Sequence, residues 1–109
     1  MDVQMLKDKI FEGMVFQKVK GSSRILSIQE DGFTYPIGSN GNTKKVTYEE
    51  IADAIEMINR QGYIDRRWHE VTFPKLAASR PCNFTSIGGV LQAVGVVKYV
   101  GDSRYNKLD

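Results

Sequence analysis

The sequence contains very little of the chemistry that most catalytic and metal sites need. Its 109 residues include one cysteine and one histidine. A single cysteine excludes a disulfide within the chain and a zinc site built from several thiolates. We therefore expect no catalytic residues, no metal site and no cofactor. A site of carboxylates and lysine that assembles only in the folded chain stays open as an alternative.

Long apolar runs are also missing. No stretch approaches the about 18 apolar residues of a membrane-spanning helix, and residues 1–4 lack the basic and then apolar pattern of a secretory leader. One unpaired cysteine is typical of a reducing compartment. These features predict a cytoplasmic protein with no membrane partner.

What the chain does contain is the composition of one ordinary globular domain spanning residues 1–109. Hydrophobic residues make up 41% and charged residues 26%. The formal net charge of +2 is too small to indicate nucleic acid by itself. The charge is unevenly placed, however, since residues 63–108 hold seven basic and three acidic side chains, a net +4. The predicted helix before this segment is acidic.

The first 46 residues predict a short helix followed by a small antiparallel β-meander. Apolar residues recur at helical spacing from Val3 to Phe11, before a natural stop at Gly13. The pair Asp31-Gly32 indicates a hairpin, because glycine readily adopts the positive φ of a tight turn. A strand-like piece also precedes residue 47. The three clearest strand patterns, separated by turn residues that include Gly21-Ser22-Ser23, cover residues 14–19, 24–28 and 33–37.

Residues 47–109 predict three helices and a β-hairpin, so the fold class is α+β. Thr47 and Glu50 form a capping-box pattern that begins a helix over 48–60, which Gly62 ends. Thr72 is the predicted cap of a short helix over 73–78, and Asn83 that of a helix over 83–94. Two short strands, 96–100 and 104–108, then flank a turn at 101–103.

The order helix, short helix, helix and hairpin in residues 48–108 resembles a winged-helix DNA-binding domain. The resemblance implies that helix 83–94 lies in the major groove of duplex DNA and that the hairpin contacts the backbone. Base edges would then be contacted by Asn83, Thr85, Ser86 and Gln92. Phosphates would be neutralised by Lys75, Arg80, Lys98, Arg104 and Lys107.

Two further features have competing interpretations. The cluster Arg66-Arg67-Trp68 can clamp nucleic acid, or Trp68 can cover the core while the arginines pair with nearby carboxylates. Gly88-Gly89 inside a helix allows either close approach of a phosphate backbone or tight internal packing, and we favour packing.

Three other features are assigned ordinary structural roles. We expect His69 to be a surface residue in a polar loop and Cys82 to be a small buried residue. The segment 38–45 is rich in glycine and ends in two lysines, but it lacks the spacing of a phosphate loop. It therefore predicts a hairpin loop, with Lys44 and Lys45 as a basic tip.

These patterns predict a non-enzymatic module that binds nucleic acid, with duplex DNA as its partner. The alternative is a small protein–protein interaction module or inhibitor on the same scaffold, including one that forms a homodimer. Helix 83–94 has no basic side chain with which to contact guanine, and this favours the alternative.

Overall fold

The structure is a computed structural model that describes residues 1–108, and it is α+β as the sequence predicts. The predicted domain ran to Asp109, which lies outside the described residues. The helices are α1 (Val3–Lys9), α2 (Tyr48–Gln61), α3 (Arg66–Thr72), α4 (Pro74–Ser79) and α5 (Asn83–Ala93). The strands are β1 (Val15–Gln17), β2 (Ser22–Arg24), β3 (Ser27–Gln29), β4 (Gly32–Ile37), β5 (Asn42–Thr47), β6 (Tyr63–Asp65), β7 (Val97–Gly101) and β8 (Arg104–Lys107).

Helix α1 packs against α2 at the start of the chain. Asp2 begins α1, since its carboxylate accepts the backbone N–H of Met5 at 2.9 Å. The buried side chain of Leu6 anchors it to the core. The helix ends at Lys9, earlier than predicted, and Phe11 is 60% exposed because it lies beyond the last turn.

The strands form three separate antiparallel sheets within residues 1–108. These are the hairpin β1–β2, the meander β3–β4–β5, and a sheet with the order β6–β8–β7. The predicted meander is thus divided in two. Ser22 and Ser23, predicted to lie in a turn, belong to β2, where Ser23 pairs with Phe16.

The predicted hairpin around Asp31 is present, but the structural role of Gly32 in it differs from the predicted one. The turn consists of Glu30 and Asp31, and Gly32 is the first residue of β4. Gly32 does not have a positive φ. A Cβ on it would overlap the backbone carbonyl of Val46 on β5. Gly32 is therefore needed for the close approach of two strands.

Helix α2 confirms its sequence prediction closely. The Thr47 hydroxyl accepts the Glu50 N–H at 3.1 Å, and the Glu50 carboxylate accepts the Thr47 N–H at 3.0 Å. Gly62 ends the helix with a φ of 87°. One apolar stripe of the helix is buried, and it consists of Ile51, Ala54, Ile55 and Ile58.

The segment between α2 and α5 contains more structure than the sequence predicts. Residues 63–65 form β6, and Asp65 caps α3 by accepting the Trp68 N–H at 2.9 Å. Thr72, predicted to cap the next helix, is the last residue of α3. Pro74 has no N–H to continue α3, and it is the first residue of α4. The helical conformation is therefore interrupted between the two helices.

Helix α5 lies in the middle of the core. Its apolar residues Phe84, Ile87 and Leu91 recur at helical spacing and are buried. A Cβ on Gly88 would overlap the ring of Tyr105 in β8, and one on Gly89 would overlap the Gln17 carbonyl oxygen in β1. The glycine pair therefore serves internal packing, as favoured from the sequence, and brings both halves of the chain against one helix.

The C-terminal hairpin has the predicted position and a left-handed turn. Asp102 and Ser103 have φ values of 52° and 54°, as a type I′ turn requires at both central residues. Strand β8 pairs with β7 and also with β6, where Tyr105 faces Ile64. The hairpin is thus the larger part of a three-stranded sheet rather than an isolated wing.

Candidate functional site

The helix expected to contact bases is largely covered, because strands of all three sheets pack against it. Asn83 and Ser86 have no exposed surface. Asn83 is also not a cap, since it is the first residue of α5 and its side chain enters the core. The side chain of Gln92 accepts the Tyr99 N–H at 2.7 Å and so holds β7 in place. Of the four residues predicted to contact bases, Thr85 alone lines a surface cleft.

Asn83 belongs to a buried polar network that joins both halves of the chain. Its amide donates to both carboxylate oxygens of Glu50, at 3.1 and 3.2 Å, and to the Lys45 carbonyl at 2.9 Å. The Tyr35 hydroxyl donates to its amide oxygen at 2.6 Å. His69 contacts the same carboxylate, with 2.7 Å between Nε2 and Oε2. The network connects β4, β5, α2, α3 and α5.

His69 is therefore not the surface loop residue that the sequence predicts. It lies on α3 with no exposed surface, as does Glu50. Burial raises the pKa of Glu50, but hydrogen bonds from His69, the Thr47 backbone and Asn83 outweigh it and bring the pKa below its ordinary value. Because neither group reaches solvent, the pair stabilises the fold and is not placed for acid–base work on an external substrate.

The most distinctive surface feature is a basic cleft of about 370 Å³ between the β1–β2 loop and the C-terminal hairpin. No carboxylate is among its lining residues. Its cations come from two regions that are far apart in sequence, the β1–β2 loop and the start of α3. The residues that define the basic cleft are Lys18, Val19, Lys20, Arg66, Thr85, Tyr99 and Ser103.

A second cleft, of about 440 Å³, lies between β5 and α4 and is lined by Lys44, Lys45 and Arg80. Lys44 Nζ donates to the Ser79 carbonyl at 2.7 Å, and Arg80 donates to the Lys45 carbonyl at 3.1 Å. These partners are neutral, so both positive charges remain uncompensated. Among the described residues 1–108, Lys45 is the one of the three that has a carboxylate partner, Asp31, at 2.9 Å.

The two clefts are neighbours across the segment 79–82. Arg66 of the basic cleft donates from Nη1 to the Pro81 carbonyl at 3.1 Å, and Arg80, one residue earlier, lines the β5–α4 cleft. The Lys18 ammonium lies 5.2 Å from the ring centroid of Tyr35, which pairs with Lys44 in the meander. We call the residues Lys18, Lys20, Lys44, Arg66 and Arg80 the basic face.

The structure separates the predicted Arg66-Arg67-Trp68 cluster. Trp68 is buried, and its indole N–H donates to Asp53 at 2.7 Å, so it covers the core as the alternative interpretation held. Arg66 lines the basic cleft, whereas Arg67 lines a different cleft beside Val71. The two arginines therefore do not form one clamp.

The other predicted phosphate contacts lie away from the two clefts. Arg104 stacks its guanidinium 3.7 Å from the ring centroid of Tyr63 and donates to Asn106 at 2.8 Å. The remaining three are exposed and line neither cleft, namely Lys75, Lys98 and Lys107. Cys82, predicted to be buried, is exposed at the segment between the clefts.

Sequence reasoning missed Lys18 and Lys20. Both precede Gly21 in a turn closed by the Lys18 N–H, which donates to the Gly21 carbonyl at 2.9 Å. Two lysines at a hairpin tip are a usable signal. Their nearness to Arg66, however, depends on the packing of β1 on α5, which no local pattern reveals.

Within residues 1–108, no group of three or more His, Cys, Asp or Glu side chains is placed to hold a metal ion. None of the helices in this range has the length and apolar character to cross a membrane. Comparisons of the chain with protein-family models, with curated proteins and with solved structures gave no match.

Proposed function

We propose that the protein is a non-enzymatic nucleic-acid-binding module whose basic face contacts the phosphate backbone of duplex DNA. The observation that carries this proposal is the gathering of cations from both halves around two adjoining clefts. The lining of these clefts contains no carboxylate, and a phosphate chain is the common cellular polyanion that such a surface fits.

The order of elements supports a winged-helix relationship for residues 48–108. Helix α2, strand β6, the helices α3 to α5 and the hairpin β7–β8 follow one another, with β8 central in the sheet. The burial of α5 gives this chain a different mode of contact from a helix in the major groove. Contacts through lysine and arginine to phosphate hold a protein on DNA without selecting a sequence.

The first test is fluorescence anisotropy of a labelled random-sequence duplex at about 50 mM and about 200 mM salt. If about four phosphates are contacted, the slope of log K against log salt is about −3.6, because each contact contributes about −0.9. Heparin should compete. Binding that does not change with salt would contradict the proposal.

Charge-reversal variants test whether the basic face carries the binding. Lys20→Glu/Lys44→Glu should weaken binding by more than about tenfold at low salt, since two contacts become repulsive. The matched control is Lys9→Glu/Arg60→Glu, which changes the net charge equally at α1 and α2. Equal losses in both double variants would indicate only a response to net charge, and would remove the basic face from the proposal.

A protein-interaction module or inhibitor, including a homodimer, is the second candidate. Two observations favour it: Asn83 and Ser86 of α5 are buried away from any DNA base, and Val71 is 67% exposed beside a cleft that contains Met57 and Trp68. Absence of DNA binding at low salt would favour this candidate. Sedimentation would then test the homodimer, and affinity capture would test a different protein partner.

A further inference from the structure

One of the positively charged side chains that line the basic cleft, Lys18, lies in an unusual environment. Lys18 is half-buried, and within residues 1–108 no carboxylate lies within 4.0 Å of its ammonium. The nearest compensation is the ring of Tyr35, whose centroid is 5.2 Å away. Burial lowers the pKa of Lys18, and a nearby Cys82 opposes this effect. A partly desolvated cation without a counter-charge is stabilised when an anion enters beside it.

One wall of the basic cleft, formed by the start of α3 and the hairpin tip, is held in place by a backbone hydrogen bond and by side-chain contacts. The Arg66 N–H donates to the Ser103 carbonyl at 3.2 Å, which ties the start of α3 to the hairpin tip. The Ser103 N–H donates to the Tyr99 hydroxyl at 3.3 Å. The Arg66 guanidinium also stacks 5.1 Å from the centroid of the Phe84 ring. The cleft is therefore formed before any ligand arrives, which reduces the entropy lost on binding.

The donors match the chemistry of a phosphate group. Among residues 1–108, the Pro81 carbonyl is the one acceptor that the Arg66 guanidinium bonds, through Nη1, so its other N–H groups remain available. A guanidinium fork and two ammonium groups are the usual phosphate ligands of proteins. Ser103 lies in the same lining and carries a further hydroxyl, whereas the Thr85 hydroxyl already donates to the Cys82 carbonyl at 3.1 Å. The volume of about 370 Å³ also leaves room for the sugar beside the phosphate.

We infer that the basic cleft is a phosphate-binding subsite that holds one internal phosphodiester of a nucleic-acid strand between Lys18, Lys20 and Arg66. This inference rests on the proposed function and adds one fixed anchor to an otherwise diffuse basic face. A terminal phosphate or free inorganic phosphate offers the same chemistry, so the test must separate these sources.

The main test compares Lys18→Met, which keeps the aliphatic stem, with Lys18→Arg and with Lys9→Met as a distant control. In duplex binding at about 50 mM salt, Lys18→Met should weaken affinity about tenfold and reduce the salt slope by about one. Lys18→Arg should keep most of the affinity. If Lys18→Met affects binding no more than Lys9→Met does, while wild-type protein binds DNA, the subsite is wrong and the proposed function stands.

The same set of variants includes Lys20→Met, because Lys20 is exposed and its loss does not threaten folding. It should weaken affinity severalfold, so that the inference stays testable if Lys18→Met fails to fold. The three-cation arrangement would be overturned if Lys20→Met bound DNA as tightly as wild type and Lys18→Arg did not bind DNA. If wild-type protein does not bind DNA at all, the proposed function fails, and the inference fails with it.

Two probes separate the sources of phosphate. Short duplexes with and without a 5′-phosphate should bind with equal affinity if an internal phosphodiester occupies the cleft; tighter binding of the phosphorylated form would assign the cleft to a terminal phosphate and overturn the inference. Inorganic phosphate should displace the duplex more strongly than chloride does at equal ionic strength. This excess should disappear in Lys18→Met, and its persistence there would place the phosphate elsewhere.

Discussion

At the scale of single residues, the glycines of α5 decide how close its neighbours can come. Alanine in an open helix is more stable than glycine by about 1 kcal/mol. At Gly89, however, a Cβ would overlap the Gln17 carbonyl oxygen and lie 2.8 Å from a ring carbon of Phe16. We expect Gly89→Ala to lower the free energy of unfolding by about 2 kcal/mol, since the helix and β1 must separate.

Urea unfolding followed by circular dichroism measures this change. Ala93→Gly, at an exposed position in the same helix, is the control and should cost no more than about 1 kcal/mol. An increase in the stability of Gly89→Ala would mean that α5 and β1 are not in close contact.

At the scale of elements, the C-terminal hairpin stores backbone strain that can be removed. Ser103 has a φ of 54°, a left-handed conformation that costs L-residues about 1 kcal/mol. Ser103→Gly should therefore raise the free energy of unfolding by about 0.5–1 kcal/mol, after allowing for the greater freedom of glycine in the unfolded chain. Thermal unfolding provides the measurement.

The matched control for this hairpin is Ser39→Gly in the turn between β4 and β5. Ser39 does not have a positive φ, so glycine gains nothing there and should lower stability slightly. A loss of stability in Ser103→Gly would show that the serine side chain contributes more than its backbone strain costs.

Elements set by local chemistry are the ones that the sequence predicts well. Thr47 and Glu50 specify the start of α2 with neighbouring residues alone, and Asp102 and Ser103 mark their turn in the same way. Strand β6 and helix α3 are three and seven residues long, too short to show a periodicity, and β6 exists because β8 pairs with it. Long-range pairing of this kind leaves no local pattern.

In the candidate site, too, the sequence does not reveal what depends on long-range packing. Arg66, Arg80 and Thr85 were predicted to contact nucleic acid and do line the two clefts. The winged-helix resemblance implies base contacts for Asn83 and Ser86 as well, and such contacts need an exposed face of α5. Packing on both sides of α5 buries them. The number of neighbours around a helix is a property of the tertiary structure.

At the scale of the whole molecule, one core and one polar network hold the two halves together. The buried cluster includes residues from Leu6 to Tyr105, and α5 is in contact with β1, β5 and β7. Glu50 is the centre of the network, with hydrogen bonds to α3 and α5. Asn83 carries the network across to the first half, through the Tyr35 hydroxyl and the Lys45 carbonyl. The stability of the fold should therefore depend on the ionisation of Glu50, which orients Asn83.

Glu50→Gln tests this dependence. The pKa of Glu50 in the folded protein lies below its ordinary value, so its contribution is complete at neutral pH and is lost as pH falls below about 4.3 and through the folded pKa. The variant removes the charge that His69 and Asn83 contact. We expect it to be less stable than wild type by about 2 kcal/mol at neutral pH, because hydrogen bonds to a buried charged group are lost.

Urea unfolding between about pH 7 and pH 3 distinguishes stabilisation by the Glu50 charge from stabilisation by the packing of its side chain. The stabilities of wild type and Glu50→Gln should converge in acid, because protonation of Glu50 removes the same charge that the substitution removes. Glu56→Gln, at a side chain that is 65% exposed on the same helix, should follow wild type throughout. A gap between wild type and Glu50→Gln that stays constant with pH would show that the Glu50 charge does not stabilise the fold. The shape of the side chain, and its neutral hydrogen bonds to Asn83, would then account for the whole effect.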